Sequence, residues 1–363
     1  MPAARGGKNR AAGFDPDFGT IGTVAALCAA ALGACATRPD QVDVRVGIDF
    51  PQVQPSNNYA ALYAPYAMMA TSAYADANVL TQNHCPDIGR LGVRQPGDSA
   101  DTFTFNKTVR GWIAYLNRGG WQCRFGVAGN LPCPPRLGPD CKPVGGLGFH
   151  VWRRMQGGAC REAVIAFRGT DRNDRGDWTS NFRFLYRLAP RFDQYDQVRT
   201  HIRRVVRQIK QGGCNGALLV ATGHSLGGGL AQQAAYADGT IRYVYAFDSS
   251  PVTGIFDVSA LLREHNVRGL GIDRTYEAGE ILVLPRIVME NIVPPLPCSP
   301  RTRTVRFNFL MGSPVAQHSM SELTAKMREA AATPGADPRR VIALRDAQSC
   351  TDLPLPPFLL PPA

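Results

Sequence analysis

A chain of 363 residues with 44% hydrophobic content can build a real core, which excludes wholesale disorder and leaves room for one large domain or two of ordinary size. Its formal charge of +11 is carried almost entirely by arginine scattered along the sequence. There is no compact basic run and no nucleic-acid module, so the charge points to a solvated surface or to anionic lipid headgroups, which arginine pairs with well, rather than to nucleic acid.

At the N-terminus Arg5, Lys8 and Arg10 precede an apolar run from Ile21 to Ala34. The run is too short to span a bilayer and suits the core of a signal peptide. It ends Leu32-Gly33-Ala34-Cys35, similar to the lipobox of bacterial lipoproteins, in which the cysteine is lipidated and becomes the new N-terminus. Residues 1–34 are therefore expected to be a lipoprotein-type signal peptide, with Cys35 as the lipidated residue. An ordinary cleaved signal or a tethering helix is the other reading. Asp15 and Asp17 lie between the basic residues and the apolar run, so a true start downstream of Met1 is an expectation. The expected location is the bacterial cell envelope, at the outer membrane or in the periplasm, with the membrane surface as partner through the lipid anchor; secretion is the alternative. Residues 35–57, polar and proline-containing, are expected to form a tether.

The stretch 58–78, rich in Ala, Tyr, Leu and Met, predicts a helix whose Met68-Met69 and aromatic residues make core contacts. Residues 80–146 mix Pro, Gly and cysteine with strand-like pieces such as Phe103-Thr104-Phe105. A loop-rich insertion is expected there, and with it a candidate lid. Beyond Cys28 and Cys35 eight cysteines remain: Cys85, Cys123, Cys133, Cys141, Cys160, Cys214, Cys298 and Cys350. In an exported chain they predict up to four disulfides, with Cys133–Cys141 the most evident local pair. Zinc is the weaker reading, because no C-x-x-C and no Cys/His cluster at ligand spacing occurs. No metal is expected.

From Leu147 the pattern sharpens. Gly148–Trp152 and Ala163–Phe167 read as strands joined around Gly157-Gly158, a hairpin signal. Asp193–Gln211 carries Val198, Ile202, Val205, Val206 and Ile209 on one stripe, an amphipathic helix. Ala217–Thr222 is strand and Leu230–Tyr236 helix. Ile241–Phe247 is strand, Val258–Glu264 a short helix, and Arg268–Tyr276 and Ile281–Leu284 are extended. Val305–Leu310 is strand and Ser319–Ala332 helix; residues 351–363 are a Pro-rich tail. Alternating strands and helices predict an α/β domain over 58–350, with a mostly parallel central sheet covered on both faces.

Between the strand at Ala217 and the helix at Leu230 stands Gly223-His224-Ser225-Leu226-Gly227. G-x-S-x-G alone is weak; placed between a strand and a helix it describes a turn that forces a serine out of the sheet. A Gly-rich loop binding an anion at the helix start is the plain alternative. A serine hydroxyl needs a base, and histidine has the right acidity. His84 and His201 precede the serine, His224 adjoins it, and His265 ends a helix without a motif. His318 follows a strand and a turn at the start of a helix and is the expected base. The acid that orients it should lie between Ser225 and His318. Glu280, in the turn Glu277-Ala278-Gly279-Glu280, is preferred and Asp248, at a strand end, is the alternative; Asp273 sits mid-strand and Glu277 just before the turn. An oxyanion would be held by the backbone N–H of Leu226 and by Thr170, in the turn Arg168-Gly169-Thr170.

Several stretches occur together, in order: Ala163–Asp171, Trp178-Thr179-Ser180-Asn181, Val220–Gly229, Ser249–Gly254, Tyr276–Leu282 and Gln317-His318-Ser319-Met320. Over about half the chain the sequence thereby resembles the class 3 (fungal-type) lipase family of α/β-hydrolases, here in the setting of a bacterial lipoprotein. The resemblance implies an α/β-hydrolase fold with a cysteine-rich N-terminal insertion and hydrolysis of carboxylic esters of lipids without a cofactor. It assigns Ser225 as nucleophile, Glu280 as acid by position, His318 as base, and Thr170 with Leu226 as oxyanion hole. The family usually has Asp where Glu280 stands, and the cysteine-rich segment has no counterpart in it. Three functions follow as expectations: a triacylglycerol lipase or esterase first, a phospholipase A on membrane glycerophospholipids second, and a catalytically silent lipoprotein with a binding or scaffold role third.

Overall fold

Gly157 and Gly158 both hold positive φ, +58° and +77°, in the two-residue turn of a hairpin. That backbone matches the twist of the strands it joins, and glycine adopts it without a Cβ clash. The strands are β4 (Gly148–Gln156) and β5 (Ala159–Phe167), paired antiparallel from Phe149↔Phe167 to Gln156↔Ala159.

The computed structural model describes residues 38–143, 146–170, 192–296 and 298–341, all within one compact unit, Thr37–Ala363. The signal segment with Cys28 and Cys35, the Trp178–Asn181 stretch, Cys350 and the Pro-rich tail lie outside the described residues. The other strands are β1 (Gln41–Val46), β2 (Gln52–Pro55), β3 (Trp121–Ala128), β6 (Leu218–His224), β7 (Ile241–Phe247), β8 (Gly271–Glu277) and β9 (Arg301–Phe307). They form one sheet in the order β2-β1-β9-β8-β7-β6-β5-β4-β3. The five central strands, β5 to β9, are parallel, and antiparallel strands flank them on both sides. The longer helices are α1 (Ser56–Ser72), α2 (Ala100–Arg118), α3 (Gln194–Ile209), α4 (Leu226–Ala237), α5 (Ala260–Asn266), α6 (Val283–Ile292) and α7 (Met320–Ala331).

Alternation along the strands divides the interior into two cores. On β5, Val164 and Ala166 point to one side; on β7, Tyr243, Tyr245 and Phe247 do the same. They meet residues of α1, α2 and α7, among them Tyr63, Met68, Met69, Trp112 and Leu323. Ala163, Ile165 and Phe167 of β5 and Val244 and Ala246 of β7 face the other way, onto α3 and α4. A sheet buried on both faces explains why its central strands are almost continuously apolar. Met68 and Met69 are fully buried core residues, as the sequence suggests.

Three expectations change. The stretch read as a tether carries the β1–β2 hairpin: Gln-Val-Asp-Val-Arg-Val alternates, Val42 and Val44 are buried, and β1 pairs with β9. Residues 80–146 are not loop throughout. Phe103-Thr104-Phe105 belongs to α2, whose N-terminus is capped by Ser99 accepting from the Thr102 N–H at 3.0 Å. Three alternating residues are too few to mark a strand; the buried stripe Val109, Trp112, Ile113 and Leu116 shows the helical period. Residues 281–284, read as extended, lead into α6.

Disulfides join Cys85–Cys123, Cys133–Cys141 and Cys160–Cys214. Cys298 is disulfide-bonded as well. The third bridge ties the start of β5 to the segment between α3 and β6, across 54 residues.

Candidate active site

The parallel strands converge on one edge of the sheet, and the candidate residues gather there. β6 ends at His224 and α4 begins at Leu226, so Ser225 alone makes the turn, at φ +56° and ψ −125°. A non-glycine residue held there stores strain. Hydrogen bonds fix it: the Ser225 N–H donates to Phe247 O at 3.0 Å, and Ser225 O accepts from Ser250 N–H at 2.9 Å and Gly228 N–H at 3.0 Å. The glycines let strand and helix cross closely. A Cβ on Gly223 would collide with the Gly227 carbonyl, and one on Gly227 with the Phe167 carbonyl. Ser225 is 9% exposed.

The turn Arg168-Gly169-Thr170 follows β5, the neighbour of β6, and packs against this elbow. Gly169 lies against the His224 carbonyl and the Tyr74 hydroxyl, and the backbone of Arg168 and Gly169 lies against Gly227. Thr170 therefore stands one residue beyond the contact with the N-terminus of α4, where the Leu226 N–H is.

His318 and Glu280 come together. His318 Nδ1 donates to Glu280 Oε2 at 2.7 Å, and the same oxygen accepts the Leu282 N–H at 2.9 Å. The other carboxylate oxygen is ion-paired with Arg286 of α6. Arg286 also donates to Ser249 O at 2.9 Å and lies over the Tyr276 ring at 3.8 Å. All three residues are buried. The turn carrying Glu280 is stitched to the loop carrying His318 by the Ile281 N–H, which donates to Pro314 O at 3.1 Å.

The His318 ring lies 4.7 Å, centroid to centroid, from that of His224, the residue before Ser225. His224 is held through Nδ1 by the Tyr74 hydroxyl at 2.9 Å. Burial pushes the His318 imidazole down to about 3, with the Arg286 charge adding to the effect. The ring is thus neutral at ordinary pH, the form that can accept a proton.

Of the other acids, Asp248 ends β7 close to both histidines, Glu277 accepts the N–H groups of Phe309 and Leu310, and Asp273 pairs with Arg303 inside the first core. His201 bonds the Pro132 carbonyl. Arg286 and Tyr74 are members of the site that sequence reasoning missed. A lone arginine within an apolar Val283–Ile292 segment is the signal that could have singled out Arg286 once that segment was recognised as a helix.

Strand, strained serine and helix on a mostly parallel sheet of this order give the chain the α/β-hydrolase fold. Residues 142–250, which include the β4–β5 hairpin, Ser225 and β7, match the Tle-like phospholipase domain. Among solved structures the chain is similar to lipase II from Rhizopus niveus, at 16% identity over 68% of this chain and 78% of that one, with a TM-score of 0.36. It is similar to the propeptide complex of Rhizomucor miehei lipase at 13% identity over 78% and 81%, TM-score 0.36. A Pyrobaculum calidifontis esterase aligns at 10% identity over 67% and 97%, TM-score 0.30. No curated protein matches the chain in sequence.

Proposed function

We propose that this chain is a serine hydrolase of lipid carboxylic esters, acting through an acyl-enzyme. The observation that carries the reading is the buried hydrogen bond from His318 Nδ1 to Glu280 at 2.7 Å, with the His318 ring 4.7 Å from that of His224, the residue before a serine held at positive φ. Ser225 Oγ attacks the acyl carbon and its proton passes to His318 Nε2. The imidazolium is balanced by Glu280, and the oxyanion is met by the N–H groups of Leu226 and Thr170. The tetrahedral intermediate collapses, the C–O bond to the alcohol breaks, and the leaving oxygen takes the proton from His318. Water, deprotonated by the same histidine, then releases the fatty acid and restores Ser225. No cofactor is needed. Each oxyanion donor of this kind lowers the barrier by about 2.7–4 kcal/mol.

A second reading, phospholipase A on glycerophospholipids, has the support of the match over 142–250 and of the arginine-rich composition. The disulfides fit an exported chain, and the cell envelope, reached through a lipidated Cys35, is the compartment we propose.

The test compares triacylglycerol emulsions with phosphatidylglycerol vesicles, for wild type and Ser225→Ala, alongside labelling by a fluorophosphonate probe. Wild type should be labelled and release fatty acid, and Ser225→Ala should do neither while keeping its circular dichroism spectrum. Equal hydrolysis by the two proteins would overturn the mechanism. An unlabelled, inactive wild type would favour a scaffold role.

A further inference from the structure

A second carboxylate stands beside His318, and the chemistry above does not use it. Asp248 follows β7, is fully buried and holds φ +38°. Its backbone is pinned in that unfavourable conformation by its N–H, which donates to Thr275 O at 2.8 Å. Oδ1 accepts the Glu277 N–H at 2.9 Å. Among the described residues Oδ2 finds no hydrogen-bond donor. A carboxylate oxygen of Asp248 lies within 4.8 Å of a ring nitrogen of His318 and of one of His224.

A buried carboxylate oxygen without a donor is costly and calls for an explanation. Packing does not supply one, since an asparagine would fill the same place and keep the bond from the Glu277 N–H without burying a carboxylate. The charged and titratable neighbours are Glu277 on β8, Arg286 on α6, His224 at the end of β6 and His318. Burial raises the Asp248 carboxyl to about 7, against the pull of Arg286. Beyond the fixed charge of Arg286, a positive charge arises next to this oxygen when His318 takes the serine proton.

We infer that Asp248 is a positioning residue that gives His318 a second acid. Glu280 orients the resting imidazole through Nδ1, and Asp248 stabilises the imidazolium from the side of β7, well enough to sustain turnover when Glu280 is lost. The inference rests on the serine-hydrolase reading.

The experiment measures kcat and KM on a soluble ester, p-nitrophenyl butyrate, for wild type, Glu280→Gln, Asp248→Asn and the double variant. Fluorophosphonate labelling of wild type is run first: without it the hydrolase reading fails, whatever Asp248 does. With labelling present, Glu280→Gln should lose about 10²-fold in kcat and Asp248→Asn about 10-fold, against the roughly 10⁴-fold typical of a triad whose only acid is removed. The double variant should fall at least tenfold below the product of the single losses, with KM within about threefold throughout, since two supports of one charge are redundant. Losses that simply multiply, or an Asp248→Asn effect confined to KM or to melting temperature, would overturn the inference. If the double variant does not fold, Glu280→Gln decides alone: a loss of about 10²-fold in kcat sustains the inference, and a loss of about 10⁴-fold, that of a triad without its only acid, ends it.

Discussion

Arg286 grips one oxygen of the Glu280 carboxylate while His318 holds the other. The acid of the candidate site is therefore a bridge between a fixed cation and the base. With the Leu282 N–H on the histidine side as well, Glu280 has little freedom to turn, and the imidazole inherits that rigidity.

Removing the cation should be visible in the pH profile. Arg286 helps to hold the His318 pKa down; in the proposed mechanism the neutral ring accepts the serine proton, so kcat/KM should fall as pH drops through that pKa. Arg286→Met should move this acid limb to higher pH and lower kcat by about tenfold or more. Arg286→Lys, which keeps the charge, should leave the limb near its wild-type position. Profiles of kcat/KM that reach from about pH 2 to 9, so as to include the wild-type limb, check this; an unmoved limb in Arg286→Met would contradict it.

Glu277 predicts a pH-dependent stability. Burial, with the neighbouring Asp248, raises its carboxyl from 4.5 to about 8. The folded chain keeps a proton that the unfolded chain releases from pH 4.5 upward. Stability is therefore full below 4.5 and is lost as pH rises through 8. Glu277→Gln removes this titration, so its melting temperature relative to wild type should climb between pH 4.5 and 8. Thermal melts across that range measure the difference, and a constant offset would be the contrary result.

The ion pair inside the first core makes a sharper demand. Arg303 Nε donates to Asp273 at 3.1 Å, and the Tyr63 hydroxyl of α1 donates to the same carboxylate at 2.7 Å. Arg303→Met leaves Asp273 buried without its cation and should cost about 3–5 kcal/mol. The double replacement Arg303→Met with Asp273→Leu should recover much of that. Urea unfolding of the three proteins gives the comparison.

Cys160–Cys214 closes the loop containing α3. Replacing both cysteines by alanine should lower stability by roughly 2–4 kcal/mol through the unfolded chain, with kcat unchanged. A matching loss of kcat would show instead that the bridge shapes the site.

Cys35 supplies the cellular test. If it carries lipid, Cys35→Ser should move the protein from the membrane fraction to the soluble one; retention in the membrane fraction would end the anchor proposal.

Much of the sheet and three members of the site were legible because each leaves a local mark. The elbow needs glycine on both sides of Ser225, and that requirement is written into five consecutive residues. His318 is marked by its place after the last strand and turn, and Glu280 by its turn, although a glutamate stands where the resembled family usually has aspartate. Arg286 left a fainter mark, a lone arginine in an apolar segment, because its role depends on α6 folding back over Tyr276, a tertiary fact. The β1–β2 hairpin was hidden by its polar composition, although Val42 and Val44 alternate as a strand requires. In α2 the short Phe-Thr-Phe piece outweighed the longer helical stripe behind it.

Asp273 and Arg303 are also direct partners in the ladder between β8 and β9. Were β9 to thread one position out of step, Arg303 would swing to the opposite side of the sheet and Asp273 would be stranded in the first core. The strand so inspected is the one that leads to the loop bearing His318. The pair thus proofreads assembly: a chain that mis-threads its final strand pays with a solitary interior charge, and only the correct threading delivers the histidine to the serine's edge of the sheet.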